Sequence, residues 1–438
     1  MLHVLVLLSA TGPTQSWADV TLGGATAPKT DARRMENGAK ITSEAAPESD
    51  TEGKADTQRL ADSYQPKGID LGLFLLLPKI ETDESYNSNI FAIKSDVKSD
   101  FVTTIRPEVN LRSRFSEHSL SLHMVGEKFA HRTFASNDRF DSQIDLSGRY
   151  DVNAGTELTG FVQAFARHEE RTSPDEAQGV KPTPTSGFIG RVGGKHETGR
   201  FVFSSEIGLQ RLAFEKVATS SGSIVPNQDR NRWEVDGRLR GSYELFPGYA
   251  AVVQLSGNKH EYEQERDRNG QQRSSHGYRA EAGIGVDISQ LLRGDFLVGY
   301  LQQQYRDPRF KNPQGLSLRA AFNWTPDKLT IVVPALERSV SDTTTSGASS
   351  LVRTSASVLV RHELARNILI SGYGSVAYDE LVGVNQPGWT YEARARVTYA
   401  FTPEVYVGSE VTYKEKDARI ATSGYRQSVA MVRLGLQM

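Results

Sequence analysis

From Leu71 onward, apolar and polar side chains exchange places at every second position, in one segment after another. Between Trp233 and Glu244, one face holds Trp233, Val235, Gly237, Leu239, Gly241 and Tyr243. The other holds Glu234, Asp236, Arg238, Arg240, Ser242 and Glu244. Successive side chains of a strand point to opposite faces, so this segment predicts a strand with one greasy and one ionic side. The pattern recurs where Phe140, Ile144, Leu146 and Tyr150 alternate with Arg139, Asp141, Asp145 and Arg149. It recurs again where Tyr278, Ala280, Ala282 and Ile284 alternate with Arg279 and Glu281, and where Trp389 to Phe401 alternate with Glu392, Arg394 and Arg396. A helix, with its period of 3.6, would scatter these residues round its circumference.

A soluble antiparallel sandwich also alternates apolar-in and polar-out. Three features favour a transmembrane barrel instead. The apolar face is often only Ala or Gly, with aromatics gathered near strand ends, as an interfacial girdle requires. The segments run about 10 to 15 residues, against the roughly 5 to 6 of a soluble strand. Short and long connections also take turns along the chain. Short turns are expected at Arg114–Glu117, Asn153–Gly155, Glu197–Gly199, Phe246–Gly248, Gln290–Leu292, Pro326–Lys328, Glu363–Ala365 and Thr402–Glu404. Between them lie polar loops near 83–99, 131–137, 171–184, 215–229, 265–274, 306–314, 341–349, 380–388 and 416–424. The expectation is an all-β, antiparallel transmembrane β-barrel of about eighteen strands over residues 68–438, with short periplasmic turns, longer extracellular loops and both termini in the periplasm. Hydrocarbon offers no water to an unpaired strand edge, so the last strand must pair with the first.

Composition agrees. Hydrophobic residues make up 38% of the 438 residues, which suits a wall that shows lipid only every second side chain. With 51 basic and 53 acidic side chains the formal charge is -2, so a basic footprint for nucleic acid is absent. The absence of cysteine excludes disulfides, thiolate zinc sites and a cysteine nucleophile. The apolar run Leu2–Ala10, followed by Ser16-Trp17-Ala18 before Asp19, predicts a cleaved signal peptide over residues 1–18, although no Lys or Arg precedes the run. Residues 19–67 are polar, charged and nearly free of aromatics, which predicts a disordered periplasmic segment that could meet export components.

Several stretches of the chain after Lys67 resemble the putative β-barrel porin 2 family of outer-membrane proteins, often associated with exopolysaccharide loci. They are Gly72-Leu73-Phe74-Leu75-Leu76-Leu77-Pro78, Tyr86-Asn87-Ser88-Asn89-Ile90-Phe91, Ser99-Asp100-Phe101, Arg106-Pro107 and Glu117-His118-Ser119-Leu120. Gly148–Val152, His168–Arg171, Gly299-Tyr300 and Val360–Leu364 are similar as well. The chain departs from such barrels at Met438, where an aromatic residue is usual. The resemblance implies an outer-membrane location and export of a polysaccharide.

No catalytic, cofactor-binding or metal-ligating residue is nominated. The nine histidines show no HExxH spacing. Gly193-Gly194-Lys195 fails as a phosphate loop, because His196 follows where Ser or Thr is required. No G-x-S-x-G elbow occurs. What remains is a polar lumen, with Arg106, Glu108, Arg139, Asp141, Arg149, Glu234, Asp236, Arg238, Arg240, Arg279, Glu281, Arg319, Arg353, Glu392, Arg394, Arg396 and Glu410 expected to line it. Interleaved signs predict cross-strand pairs and no strong ion selectivity. Phe161, Phe165, Tyr305 and Tyr406 fall on the same face, which suits either sugar stacking or packing against an inserted loop. Three functions fit: an exopolysaccharide conduit, a diffusion porin for small polar solutes, or a structural or adhesive protein with a plugged barrel. The expected partners are outer-membrane lipid and a hydrated polysaccharide or small solutes.

Overall fold

A computed structural model describes residues 64–438 except 178, 289–290 and 419–423. The signal and most of the expected disordered segment, residues 1–63, lie outside the described residues. Eighteen antiparallel strands form the wall. The first six are β1 (Phe74–Asn87), β2 (Asp100–Ser113), β3 (Ser119–His131), β4 (Arg139–Asn153), β5 (Thr156–His168) and β6 (Pro184–Thr198). The next six are β7 (Phe201–Phe214), β8 (Arg232–Phe246), β9 (Tyr249–Tyr262), β10 (Ser275–Ile288), β11 (Leu292–Tyr305) and β12 (Gln314–Trp324). The last six are β13 (Thr330–Asp342), β14 (Ser350–Ala365), β15 (Ile368–Leu381), β16 (Gly388–Ala400), β17 (Val405–Ala418) and β18 (Tyr425–Gln437). Each strand pairs with the next, and β18 pairs back onto β1 from Lys79↔Gln437 to Asn87↔Val429. The barrel is closed.

Strand β18 and Met438, whose N–H donates to the Pro78 carbonyl at 3.1 Å, stop before the start of β1, which would leave the edge from Phe74 to Leu77 bare. The chain covers part of it itself: Ile69 and Asp70 pair with Leu76 and Leu75. Arg433 then fastens the closing ladder from inside, meeting the two Asp83 oxygens at 2.7 Å each. Two residues further along β18, Gly435 pairs with both Tyr406 and Glu81. The Tyr406 ring lies across this glycine, where a Cβ would come within 2.1 Å of it. Its hydroxyl donates to Glu81 on β1, so one aromatic bridges three strands.

Alternation sets the faces. Val235, Leu239, Ile144, Leu146, Ile284, Val397, Val432 and Leu434 are exposed outward, whereas Glu234, Asp236, Asp145, Glu281, Glu392 and Gln437 are buried inward. Outward aromatics gather at two heights, as an interfacial girdle requires. Tyr86 with Phe101, Tyr278 with Tyr300 and Tyr378 with Trp389 mark the long-loop rim. Phe74 with Phe115, Phe246 with Tyr249 and Tyr399 with Phe401 mark the short-turn rim.

Several boundaries differ from the sequence expectation, the following three among them. Strand β1 continues to Asn87, through the start of the loop expected at 83. The turn expected at Glu363–Ala365 falls after Ala365, because a bulge between Glu363 and Ala365 carries β14 further. The turn expected at Glu197–Gly199 comes after Thr198, at the left-handed Gly199. In β1 and β6, polar residues that read as loop are strand residues facing water inside or at the rim; in β14 the bulged residue is the exposed Leu364.

One ladder is weak. Strands β12 and β13 pair only at Arg319↔Glu337, Ala320↔Leu336, Ala321↔Ala335 and Trp324↔Val332. Pro334, opposite Phe322 in this register, has no N–H to give and interrupts the ladder.

Candidate functional site

The inward face of the wall carries rows of ion pairs, and most of the expected residues take part. Arg106 meets Glu127 and Glu81, and Glu108 meets Lys79 at 2.6 Å. Asp141 accepts from His168 at 2.7 Å and lies 3.6 Å from Arg139, while Arg149 meets Asp151 at 3.0 Å. On β8, Glu234 pairs with Arg232 at 2.6 Å and Asp236 with Arg191 at 3.3 Å. Arg238 reaches Glu206 at 3.2 Å and Arg240 reaches Asp295 at 2.7 Å. Arg279 lies 3.8 Å from Glu281, and Arg353 grips Asp379 with two bonds of 2.6 and 2.7 Å. Arg394 meets Glu392 at 2.8 Å and Arg396 meets Glu410 at 2.6 Å. Arg319 alone of the seventeen has no carboxylate within 4 Å among the described residues. Pairs such as Arg353–Asp379 and Arg396–Glu410 link neighbouring strands, Arg191–Asp236 and Arg240–Asp295 reach past intervening strands, and the i,i+2 pairs such as Arg394–Glu392 lie within one strand.

The mouth at the long-loop rim is crossed by chain. Residues 169–177 and 179–183, between β5 and β6, turn inward and bury Glu169, Arg171, Asp175, Glu176 and Thr183. Arg230 holds Glu169 through two bonds of 2.7 and 2.6 Å. Arg171 donates to Asn137 and to the Gly179 carbonyl, each at 2.8 Å. On the far side, Lys414 of β17 lies 3.6 Å from Glu170. Asp175 Oδ1 accepts from the Thr344 N–H at 2.8 Å, the Thr344 hydroxyl at 2.9 Å and the Thr343 hydroxyl at 3.1 Å. β17 is six strands round the wall from β5 in one direction, and β13 is seven from β6 in the other. A segment that touches both must span the lumen. Burial and the neighbouring Glu169 charge push the Glu176 carboxyl up to about 7, against the pull of Arg171.

A second segment folds in to meet it. At the tip of the β13–β14 hairpin, Thr343, Ala348, Ser349, Ser350, Leu351 and Val352 are all buried. Consecutive buried residues mean that both faces of the hairpin are covered, so its tip has left the wall and entered the barrel. Asp342 anchors it. His260 and the Tyr262 hydroxyl each meet its carboxylate at 2.9 Å, the Tyr305 hydroxyl at 3.3 Å and Arg232 at 3.4 Å. Glu234, His260 and Asp342 bring potential metal-ligand atoms within 4.8 Å of one another. The Arg232 guanidinium already supplies a cation to both acids, so this cluster reads as the hairpin's anchor.

The inward aromatics pack against protein. Phe161 and Phe165 pack with Ile189, Leu212 and Phe214 in one buried cluster, and the Arg230 guanidinium lies 3.9 Å over the Phe214 ring. Tyr305 packs edge-on against Phe310. Tyr305 meets the infolded hairpin through Asp342, whereas Phe161 and Phe165 pack among residues of β5, β6 and β7 and Tyr406 lies over Gly435 of β18. The expected site contained the wall but missed the constriction. Glu169, Arg171, Asp175, Arg230, Asp342 and Arg273, which donates to the Ala348 carbonyl of the infolded hairpin at 3.2 Å, lie in loops or at loop boundaries, where no periodicity tells inward from outward.

The sequence family described as Putative beta-barrel porin 2 matches residues 62–438. No curated protein matches the chain. Among solved structures, OccK3 (OpdO) of Pseudomonas aeruginosa is 12% identical with a TM-score of 0.41, over 83% of this chain and 95% of that one. The outer membrane protein OpdK of the same organism is 9% identical with a TM-score of 0.43, over 83% and 99%. Its OccK2 (OpdF), in complex with glucuronate, is 9% identical with a TM-score of 0.45, over 85% and 100%.

Proposed function

The chain belongs to the Putative beta-barrel porin 2 family of outer-membrane β-barrels, and from that premise we propose that it is a diffusion channel for small polar solutes. The long loops face the cell exterior, the termini lie in the periplasm, and the paired charges of the wall line the path. The observation that carries this reading is the clasp between Asp175 and Thr343–Thr344, which joins two infolded segments across the mouth. A barrel of this strand number is wide enough for an aqueous channel unless chain fills it. The clasp narrows that space to a passage suited to single small molecules, and a hydrated polymer would need both segments displaced.

Opposed charges on either side of the passage favour neutral polar solutes, because an ion of either sign meets both attraction and repulsion. The wall arginines present planar donors to hydroxyl and carboxylate oxygens alike. Export of an exopolysaccharide, implied by resemblance at the sequence level, has less support from this geometry, since the rings that could stack on sugars are packed against protein.

Liposome swelling tests the proposal. Vesicles carrying the protein should swell in sugars up to a sharp size limit, and deleting residues 170–182 should raise that limit. Swelling no faster than empty vesicles, in both proteins, would refute the channel reading. A strain lacking the gene that still delivered its surface polymer normally would count against export as well.

A further inference from the structure

The loosened β12–β13 ladder opens sideways. In the register set by Arg319↔Glu337, Leu318 to Gln314 should face Arg338 to Asp342, but none of these five positions is paired. Five positions at about 3.4 Å each make a gap of roughly 17 Å, from mid-wall to the long-loop rim. The cause is the infolded hairpin. Pro334 is exposed on the outer face of β13, yet Asp342, on the same face eight residues on, is buried against His260 and Tyr262 of the inner wall. The upper half of β13 has swung into the barrel, and Arg279 holds it there with a bond to the Arg338 carbonyl at 3.3 Å.

The gap lies at bilayer depth. Tyr300 of the girdle pairs with Leu316, and Leu297, at the middle of β11, pairs with Arg319. Bare strand edges are not tolerated in hydrocarbon unless they are buried or border a filled or watered cleft. The β12 lip is apolar at Leu316, 54% exposed, and at Leu318, and the β13 lip offers Val340 between the polar residues Arg338 and Asp342. Behind them a cavity between the wall and β13 is lined by Asp236, Arg238, Arg279, Leu301, Arg319 and Val340. Its charges are mostly answered: Asp236 by Arg191, Arg238 by Glu206 and Arg279 by Glu281. Arg319 is the exception. Its Nε is buried without a hydrogen-bond partner, and it stands at the apex of the gap.

We infer that this gap is a side portal that holds a long-chain fatty carboxylate, its chain between the parted strands β12 and β13 and its head on Arg319. A slit between two neighbouring strands suits a single chain better than a two-chain phospholipid, and a planar guanidinium suits a carboxylate. The slit opens toward lipid and backs onto the lumen wall at Arg319, and the inference does not depend on which solute the lumen passes.

The test uses the full-length protein in phosphatidylcholine vesicles with a photoreactive palmitate, labelled near the chain end and mapped by mass spectrometry. Label should concentrate on residues 314–318 and 338–342, and palmitate should displace it where hexadecyltrimethylammonium does not. Arg319→Gln should lower the label there by at least about fivefold, with Arg319→Lys retaining most of it. Because the chain has no cysteine, Leu316→Cys with Val340→Cys places one thiol on each lip. Closing that disulfide should abolish labelling and reduction should restore it, which serves even if Arg319→Gln folds poorly. Label spread evenly over the lipid face, equal displacement by the cation, or labelling unchanged by the closed disulfide would each overturn the inference.

Discussion

Replacing Asp175 by alanine removes the single oxygen on which three donors converge, at 2.8, 2.9 and 3.1 Å, from the opposite infolded segment. A hydrogen bond to a charged acceptor contributes about 1.5 to 3 kcal/mol. Three bonds sharing one oxygen do not add in full, so the clasp is worth about 2 to 4 kcal/mol. That shifts the ratio of clasped to unclasped mouth by about 30- to 900-fold. Single-channel recording in planar bilayers reads this shift directly, as the fraction of time spent at a larger conductance level. The Asp175→Ala channel should occupy that level far more often than the parent, with Asp175→Asn between them because it keeps an acceptor but loses the charge. The wall ladder does not involve residue 175, so heat-modifiable migration on gels should be unchanged. Equal occupancy of the larger level in all three proteins would refute the claim that this contact closes the mouth.

Other outcomes follow from the same geometry. Glu176, pushed up to about 7, binds its proton more tightly in the folded loop than when free; the loop is therefore steadiest at acid pH and loosens as pH rises from about 4.5 through about 7. Current noise should grow over that window and be flat in Glu176→Gln; noise with the same pH dependence in both would remove Glu176 as the cause. Gly435→Val should expel the Tyr406 ring and cost about 1 to 3 kcal/mol, read as a lower temperature of heat-modified migration, while Gly408→Ala, with no Cβ contact under 3.6 Å, should cost much less. Reversing Arg394 and Arg396 to glutamate leaves Glu392 and Glu410 facing like charges, and cation permeability should rise relative to anion permeability in reversal-potential measurements.

How much of this was legible in the sequence depends on period. Within a strand, each residue announces its face by the solvent it meets, so Glu234, Asp236, Arg394 and Arg396 could be placed inside from alternation alone. Closure followed from the physics of a bare edge in lipid, and the turns from their length. The constriction carries no such signal. Asp175 sits in a polar loop indistinguishable by composition from loops that point outward, and Asp342 was read as loop because polar residues follow it. Its role depends on β8, β9 and β11 converging upon it, which is a property of the barrel and of no one segment. Pro334 was the one visible hint of the loosened ladder, since a proline in a central strand leaves an acceptor unanswered.

The claim on which the rest depends is that alternate residues of one strand face lipid and an open aqueous path. Single cysteines at Ser357 and Val358 of β14, in a chain otherwise without cysteine, test it with a charged, water-soluble thiol reagent applied during current recording. Modification at Ser357 should proceed and change the current, whereas Val358 should remain unreacted and its current steady. Equal reaction at both positions, or reaction at Ser357 that leaves the current untouched, would contradict the account.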